Sequence, residues 1–134
     1  MGKGCLIDSN VVIGYLDNKL PVKGMEMMDI VIDDIPNISI ITKIEVLRFD
    51  APAASYTILK EFIGECAVLE LSDSVVDKTI AICKSNRIKL PDAIIAATAL
   101  VNNLSLITRN ISDFKNVEDL ELLNPWAEDN GRAL

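Results

Sequence analysis

Acidic residues occur in four short stretches of the chain that are otherwise largely apolar. The stretches are LIDSNVVIGYL, ISIITKIEVL, LPDAIIAATAL and LITRNISDF, and their acids are Asp8, Glu45, Asp92 and Asp113. Carboxylates are hard oxygen ligands, which suit Mg²⁺, Mn²⁺ or Ca²⁺. Two such charges about 4 Å apart would repel by roughly 4 kcal/mol at an effective dielectric constant of about 20, unless a cation or a raised pKa offsets the repulsion. If the fold brings these acids together, they therefore predict a divalent metal site that supports phosphodiester hydrolysis.

The composition restricts the chemistry that is open to the chain. It has no histidine, which excludes Ser/His/Asp and Cys/His triads and histidine-containing metal sites. Its net charge of −7 argues against a generally basic surface for nucleic acid, so any contact with a polyanion must be local. Aromatic residues make up only 4% of the chain, so platforms for base stacking are scarce. The remaining chemistry falls to carboxylates.

The cysteines and the apolar segments indicate a cellular compartment. Cys5, Cys66 and Cys83 are odd in number and form no CxxC pair, which favours buried, reduced thiols. The longest apolar stretch, at 93–101, is far shorter than the roughly 20 residues that cross a bilayer, and the first residues do not resemble an export signal. We therefore expect a cytoplasmic protein without membrane contact.

Short apolar segments alternate with amphipathic ones along the chain. We expect strands at residues 5–7, 38–41, 67–71, 104–107 and 120–123, and helices at 21–35, 53–66, 73–87 and 91–103. Strands that are apolar throughout and alternate with helices indicate a mostly parallel sheet that is covered on both faces. The sequence thus predicts one doubly wound α/β domain over 1–127, followed by a loosely ordered tail at 128–134.

The acids stand where such a fold would bring them to one edge of the sheet. Ligands of open parallel sheets bind outside the carboxyl ends of the strands, where the strand order reverses. Asp8 and Asp113 follow predicted strands, and Glu45 lies in the first helical turn after another. Asp92 begins the helix that leads into the fourth strand. Structural roles explain each acid equally well: Asp8 as a helix cap, Thr42 and Glu45 as a capping box, and Asp92 or Asp113 near the start of a helix.

Taken together and in this order, the four acidic stretches resemble the motifs of the PIN-domain family, specifically those of VapC-type toxins from toxin–antitoxin pairs. The resemblance extends from Leu6 to about Pro125. It implies a three-layer α/β/α sandwich with a central, mostly parallel sheet. It also implies a metal-dependent endoribonuclease that uses Mg²⁺ or Mn²⁺ and leaves a 5′ phosphate and a 3′ hydroxyl. After Glu45 the chain departs from the pattern, since it reads VLRFDAP where similar toxins often carry a small residue.

The same resemblance implies roles for individual residues. Its metal-binding and catalytic acids correspond to Asp8, Glu45, Asp92 and Asp113, and its acid-orienting polar positions correspond to Asn10 and Thr108. Basic residues near the motifs are candidates for RNA contacts, although solvated surface charge explains any single one as well. These residues are Lys43, Arg48, Arg87, Lys89, Arg109 and Lys115.

The resemblance further implies three partners: an RNA substrate, a small cognate antitoxin and a second copy of the chain in a homodimer. Antitoxins of this family block the acidic cleft with a basic side chain, which a chain of net charge −7 should attract.

Other functions fit the sequence less well. A signalling receiver domain needs a phosphoryl-accepting Asp after the third strand and a lysine on a late strand, whereas the third strand here ends LELSDS and the fifth carries no such lysine. A haloacid-type phosphatase needs a second acid where Asn10 stands. A catalytically silent PIN scaffold that only binds a partner is the remaining alternative, and the four intact acids speak against it.

Overall fold

The structure, a computed structural model, describes residues 3–127, and over these residues it contains one five-stranded sheet. The strands are β1 (Cys5–Ile7), β2 (Asn37–Ser39), β3 (Ala67–Leu69), β4 (Ser105–Ile107) and β5 (Leu122–Leu123). Their order is β3-β2-β1-β4-β5, and every pairing is parallel. The strand order therefore reverses at β1, which has β2 on one side and β4 on the other.

Helices cover both faces of the sheet. They are α1 (Ser9–Leu16), α2 (Val22–Asp33), α3 (Ile40–Leu47), α4 (Ala53–Glu65), α5 (Asp73–Ser85), α6 (Leu90–Val101) and the short α7 (Ile111–Phe114). Because successive strand residues point to opposite faces, Leu6 and Leu106 pack with α5 and α6, whereas Ile7 and Ile107 pack with α1 to α4. The predicted α/β/α sandwich with a parallel sheet is thereby confirmed.

The predicted bounds differ from the observed ones mainly at strand ends. The expected strand at 38–41 is wrong in its second half, because the Ser39 side chain accepts a hydrogen bond from the Thr42 N–H at 3.0 Å and starts α3 at Ile40. The strand predicted at 5–7 matches β1, whereas β3, β4 and β5 are shorter than expected. The predicted helices at 21–35, 53–66, 73–87 and 91–103 correspond to α2, α4, α5 and α6, with ends displaced by at most two residues. Helix α1 was not predicted, although its cap was considered.

Two smaller expectations are also corrected. The capping box of Thr42 and Glu45 is wrong because Ser39 is the N-cap, which places Glu45 in the second turn of α3. All three cysteines are free, but Cys83 is exposed, so the expectation of buried thiols fails there. Burial raises the pKa of the half-buried Cys66 to about 12.

The segment after β5 packs back onto the first two helices. A Cβ atom on Gly14 of α1 would lie 2.8 Å from the Trp126 ring, and one on Gly24 of α2 would overlap the carbonyl oxygen of Pro125. Small residues are needed at both positions, because the returning chain leaves no room for a side chain. The Trp126 ring also lies under the Arg109 guanidinium, 4.6 Å from the ring centroid.

Two predictions concern membrane contact and the bounds of the domain. Every helix within residues 3–127 is too short or too polar to span a bilayer. The predicted tail at 128–134 lies outside the described residues, and the single domain over 1–127 stays a prediction.

Candidate active site

The acids come from elements that meet at one edge of the sheet. Asp8 follows β1, and α3, which carries Glu45, follows β2. Asp113 lies in α7, just after β4. Helix α6 crosses over to β4, so it runs against the strand direction and its first turn, with Asp92, reaches the same edge. This edge is where the strand order reverses, the usual ligand position in open parallel sheets.

Asp8 is buried and held by three donors. Its carboxylate accepts hydrogen bonds from the Ser9 N–H at 2.8 Å, the Thr108 hydroxyl at 2.8 Å and the Asn10 amide at 3.4 Å. Burial raises the pKa of Asp8, and the charge of Glu45 adds to that effect, while the bonds from Thr108, Ser9 and Asn10 oppose it. These hydrogen bonds thus replace the water that would otherwise stabilise the buried carboxylate of Asp8.

The residues around Asp8 are themselves fixed. The Thr108 hydroxyl also accepts from the Asn110 N–H at 3.0 Å, and the Asn10 side-chain oxygen accepts from the Arg109 N–H at 3.1 Å. The loop after β4 is therefore tied to the loop after β1 through side chains. Asn10 and Thr108 contact Asp8 as the resemblance implies, and their role in catalysis stays a prediction.

Ser9 joins two of the acids. Its hydroxyl donates to a Glu45 carboxylate oxygen at 2.9 Å, while its backbone N–H donates to Asp8. Ser9 was not among the predicted site residues. Its position directly after Asp8 was the available signal, but nothing in the sequence links residue 9 to residue 45.

Asp92 experiences the charges of all three other acids. Burial raises its pKa, and the charges of Asp8, Asp113 and Glu45 raise it further, while Lys89 lowers it. The four carboxylates are therefore close enough to interact electrostatically, although they are far apart in sequence. Placing like charges close together disfavours the charged form, which is typical of sites that bind a cation or handle protons.

A cavity of about 450 Å³ opens beside Asp92 and Asp113. Arg87 and Lys89, from the connection between α5 and α6, line it together with these acids. Two of the predicted basic residues are thereby placed next to the acidic edge. Ser112 of α7 and Asn116 after that helix also line the cavity.

The remaining basic candidates are distributed more widely. Lys43 is half-buried on α3, Arg48 is exposed at the end of that helix, and Lys115 follows α7. Arg109 lies beside the Asp8 loop, and its guanidinium stacks on Trp126. That contact was not foreseen, and the one tryptophan of the chain was the only hint of it.

The chemistry of the acids fits a hard divalent cation. The donors are carboxylate oxygens, with no histidine in the chain, and their mutual repulsion is what a positive ion relieves. Within residues 3–127, however, no three acidic or cysteine side chains are already close enough to form a complete ligand set. The residue types fit the ion, and the ligand assignment of Asp8, Glu45, Asp92 and Asp113 stays a prediction.

Comparison with known proteins identifies relatives of the whole fold. The PIN domain model matches residues 5–120. A chain of a toxin–antitoxin complex from Klebsiella pneumoniae is 26% identical, with a TM-score of 0.71 over 90% of this chain and 97% of that one. A chain of DNA-bound VapBC from Salmonella typhimurium gives 22% identity and a TM-score of 0.78 over 94% and 100%. For FitAcB from Neisseria gonorrhoeae the values are 23% and 0.73 over 91% and 98%. No curated protein matches the chain.

Proposed function

Because this chain belongs to the PIN-domain family, we propose that it is a metal-dependent endoribonuclease and the toxin component of a type II toxin–antitoxin system. The observation that supports this proposal is that the elements carrying Asp8, Glu45, Asp92 and Asp113 meet at the edge of the sheet where the strand order reverses, and that the charges of the other three acids act on Asp92. Phosphodiester hydrolysis without histidine needs such a set of hard, negatively charged oxygen atoms.

The same four acids would hold Mg²⁺ or Mn²⁺. When bound, the ion supplies positive charge that offsets the negative charge that develops on the phosphoryl group. Other side chains orient these acids. Thr108, Asn10 and Ser9 fix the orientation of the Asp8 carboxylate, and Ser9 couples it to Glu45. Oriented groups of this kind reduce the reorganisation that is needed at the moment of reaction.

Asp92 stands apart from Asp8 in its surroundings. It is half-buried, it borders the cavity, and within residues 3–127 no hydrogen bond holds its side chain as Thr108 holds that of Asp8. Burial and the charges of the neighbouring acids raise the pKa of Asp92, so its carboxyl group keeps a proton to a higher pH than that of an exposed Asp. The RNA backbone would approach through the cavity, where Arg87 and Lys89 attract phosphates.

The partners follow from the relatives rather than from the site. The similar structures include a toxin–antitoxin complex and VapBC, which supports a cognate antitoxin for this chain as well. Its basic side chain would enter the acidic edge, and the net charge of −7 would favour the encounter. A homodimer and a cytoplasmic location belong to the same proposal.

Cleavage of RNA tests the proposal directly. Purified protein that is free of antitoxin is incubated with a pool of structured RNAs and Mg²⁺ or Mn²⁺. Cleavage should stop with EDTA and in Asp8→Asn and Asp92→Asn. The matched control is Asp77→Asn, which removes an exposed acid from α5 and should cleave normally. Cleavage that persists in EDTA, or equally in both site variants, would contradict the metal mechanism.

A catalytically silent PIN module is the second candidate. The observation in its favour is that no ready ligand set exists among residues 3–127. Calorimetric titration with Mn²⁺ separates the two: an active nuclease should bind the ion, and Asp92→Asn should weaken that binding. A silent module should show neither ion binding nor cleavage of any RNA in the pool.

A further inference from the structure

Besides the acids Asp92 and Asp113, three chemical kinds of side chain line the cavity. Arg87 and Lys89 are cationic, Asn86, Ser112 and Asn116 offer amide and hydroxyl groups, and Ile88 and Val117 are apolar. We propose that this cavity seats one nucleotide of the RNA next to the scissile phosphate and selects its base. This inference rests on the proposed ribonuclease function, because it places the nucleotide relative to the acids of that site.

The size of the cavity suits one nucleotide. Its volume is about 450 Å³, within the ~300–1,000 Å³ that is usual for pockets that enclose small ligands. It is partly open to solvent, as a segment of a longer strand requires. Asp92 and Asp113 form part of its wall, so a nucleotide seated there has its phosphate linkage beside the acidic edge.

The basic residues are available for a phosphate. Arg87 and Lys89 are both exposed, and neither forms a salt bridge with any residue in the described part of the chain. They line the cavity together with Asn86, so they can hold the backbone of the strand while the base lies within the cavity. Their charge also makes this the part of an acidic site that an anionic chain can approach.

The polar residues supply base recognition. The Asn86 amide nitrogen donates to the Ile82 carbonyl at 3.0 Å, which fixes the orientation of that side chain at the end of α5. Ser112 and Asn116, which also line the cavity, are exposed and make no side-chain hydrogen bond within residues 3–127. Carboxamides pair with base edges through a donor and an acceptor at once.

Stacking is a poorer explanation of recognition at this position. Among residues 3–127 no aromatic side chain lines the cavity, and aromatic residues make up only 4% of the sequence. The faces of the base would instead contact Ile88 and Val117. Selectivity must then come from hydrogen bonds, which discriminate between bases, rather than from stacking, which tolerates all of them.

A binding titration that needs no catalysis tests the proposed nucleotide site. ¹⁵N-labelled protein in buffer without divalent ions is titrated with each of four nucleoside 5′-monophosphates and, separately, with inorganic phosphate. The Asn116 side-chain signal and backbone signals at 86–89 should shift with one base more than with the others, and less with phosphate. Arg87→Ala and Lys89→Ala should weaken these shifts, whereas Lys23→Ala on α2 should not. Absent shifts, or equal shifts with all bases and phosphate, would overturn the proposal.

Sequencing of cleavage products provides the second arm. The wild type should favour one base beside the cut, and Asn116→Ala should lower that preference about tenfold, as expected for the loss of one bidentate base contact. If Asn116→Ala cleaves RNA with an unchanged base preference, the proposed nucleotide site is refuted and the proposed ribonuclease function is not. Base-dependent shifts without any RNA cleavage would instead refute the ribonuclease function and keep the nucleotide site.

Discussion

Replacement of Thr108 by valine isolates the interaction that holds Asp8 inside the protein. The two side chains have nearly the same shape, so packing changes little, but the hydroxyl is lost. That hydroxyl donates to Asp8 at 2.8 Å and accepts from the Asn110 N–H at 3.0 Å. Thr108 is fully buried and Asp8 is 4% exposed, so water cannot readily replace the bond between them.

The expected loss of stability follows from these two bonds. A hydrogen bond to a charged group contributes roughly 1.5–3 kcal/mol and a neutral one roughly 0.5–1.5 kcal/mol. We therefore expect Thr108→Val to lower the free energy of unfolding by about 3 kcal/mol. At about 3–5 °C per kcal/mol for a chain of this size, Tm should fall by about 10–15 °C.

The effect should depend on pH in a defined direction. The bond from Thr108 lowers the pKa of Asp8, so the folded variant has a higher Asp8 pKa than the folded wild type. The part of the stability difference that comes from ionised Asp8 is thus complete above the variant's pKa. It disappears as the pH falls through the wild-type pKa, where both proteins carry a neutral Asp8.

Urea unfolding across a pH series measures both the size and the direction. Thr98→Val is the matched control, because Thr98 is also buried but donates only to the Ile94 carbonyl of its own helix, at 2.7 Å. That carbonyl already has a helical partner, so the control should lose less than about 1 kcal/mol. Equal losses in the two variants, or a difference that does not narrow toward acid, would refute the role assigned to Thr108.

Two further predictions concern charge and packing. At pH values above the pKa of Asp92, Asp92→Asn should raise the urea midpoint, because burial and the neighbouring acids disfavour the ionised form of Asp92. Below about pH 3.9, where the carboxyl group is also protonated in the unfolded chain, the variant should match the wild type. Excess Mg²⁺ should raise the Tm of the wild type more than that of this variant, and equal increases would contradict metal binding at Asp92. Gly24→Ala should lower the free energy of unfolding by about 1–3 kcal/mol, because its Cβ overlaps the Pro125 carbonyl. Gly64→Ala, whose Cβ meets nothing within 4 Å, should lose nothing, and a similar loss in both would contradict the packing explanation.

The parallel sandwich could be predicted because its strands are short, apolar and separated by amphipathic helices. The boundary between β2 and α3 could not, since ISIITKIEVL is apolar across both elements and apolarity does not distinguish a buried strand from a helix. The Ser39 side chain decides the matter by capping α3 at Ile40. A local hydrogen bond thus moved Glu45 one helical turn further from the strand than the pattern suggested.

The contacts around Asp8 were harder to predict than its position at the end of a strand. Asp8 was recognised from its place after a strand, but the bonds that hold it come from Ser9 and Thr108, at opposite ends of the sequence. The stacking of Arg109 on Trp126 likewise depends on the chain returning after β5. Spacing along a sequence reports which elements end at one edge, whereas these contacts depend on how the loops pack in three dimensions.

The structural and chemical explanations of the acids turn out not to exclude each other. Asp8 is the N-cap of α1, and its carboxylate also accepts hydrogen bonds from Thr108 and Asn10 beside the other acids. A cap requires a side-chain oxygen that is fixed at the start of a helix, and a metal or phosphoryl site at the end of a strand requires the same thing. In a doubly wound sheet the two positions coincide, because helices begin where strands end. The acids that stabilise helix starts are therefore already placed where charge is needed, and only their number at one edge distinguishes a site from a set of caps.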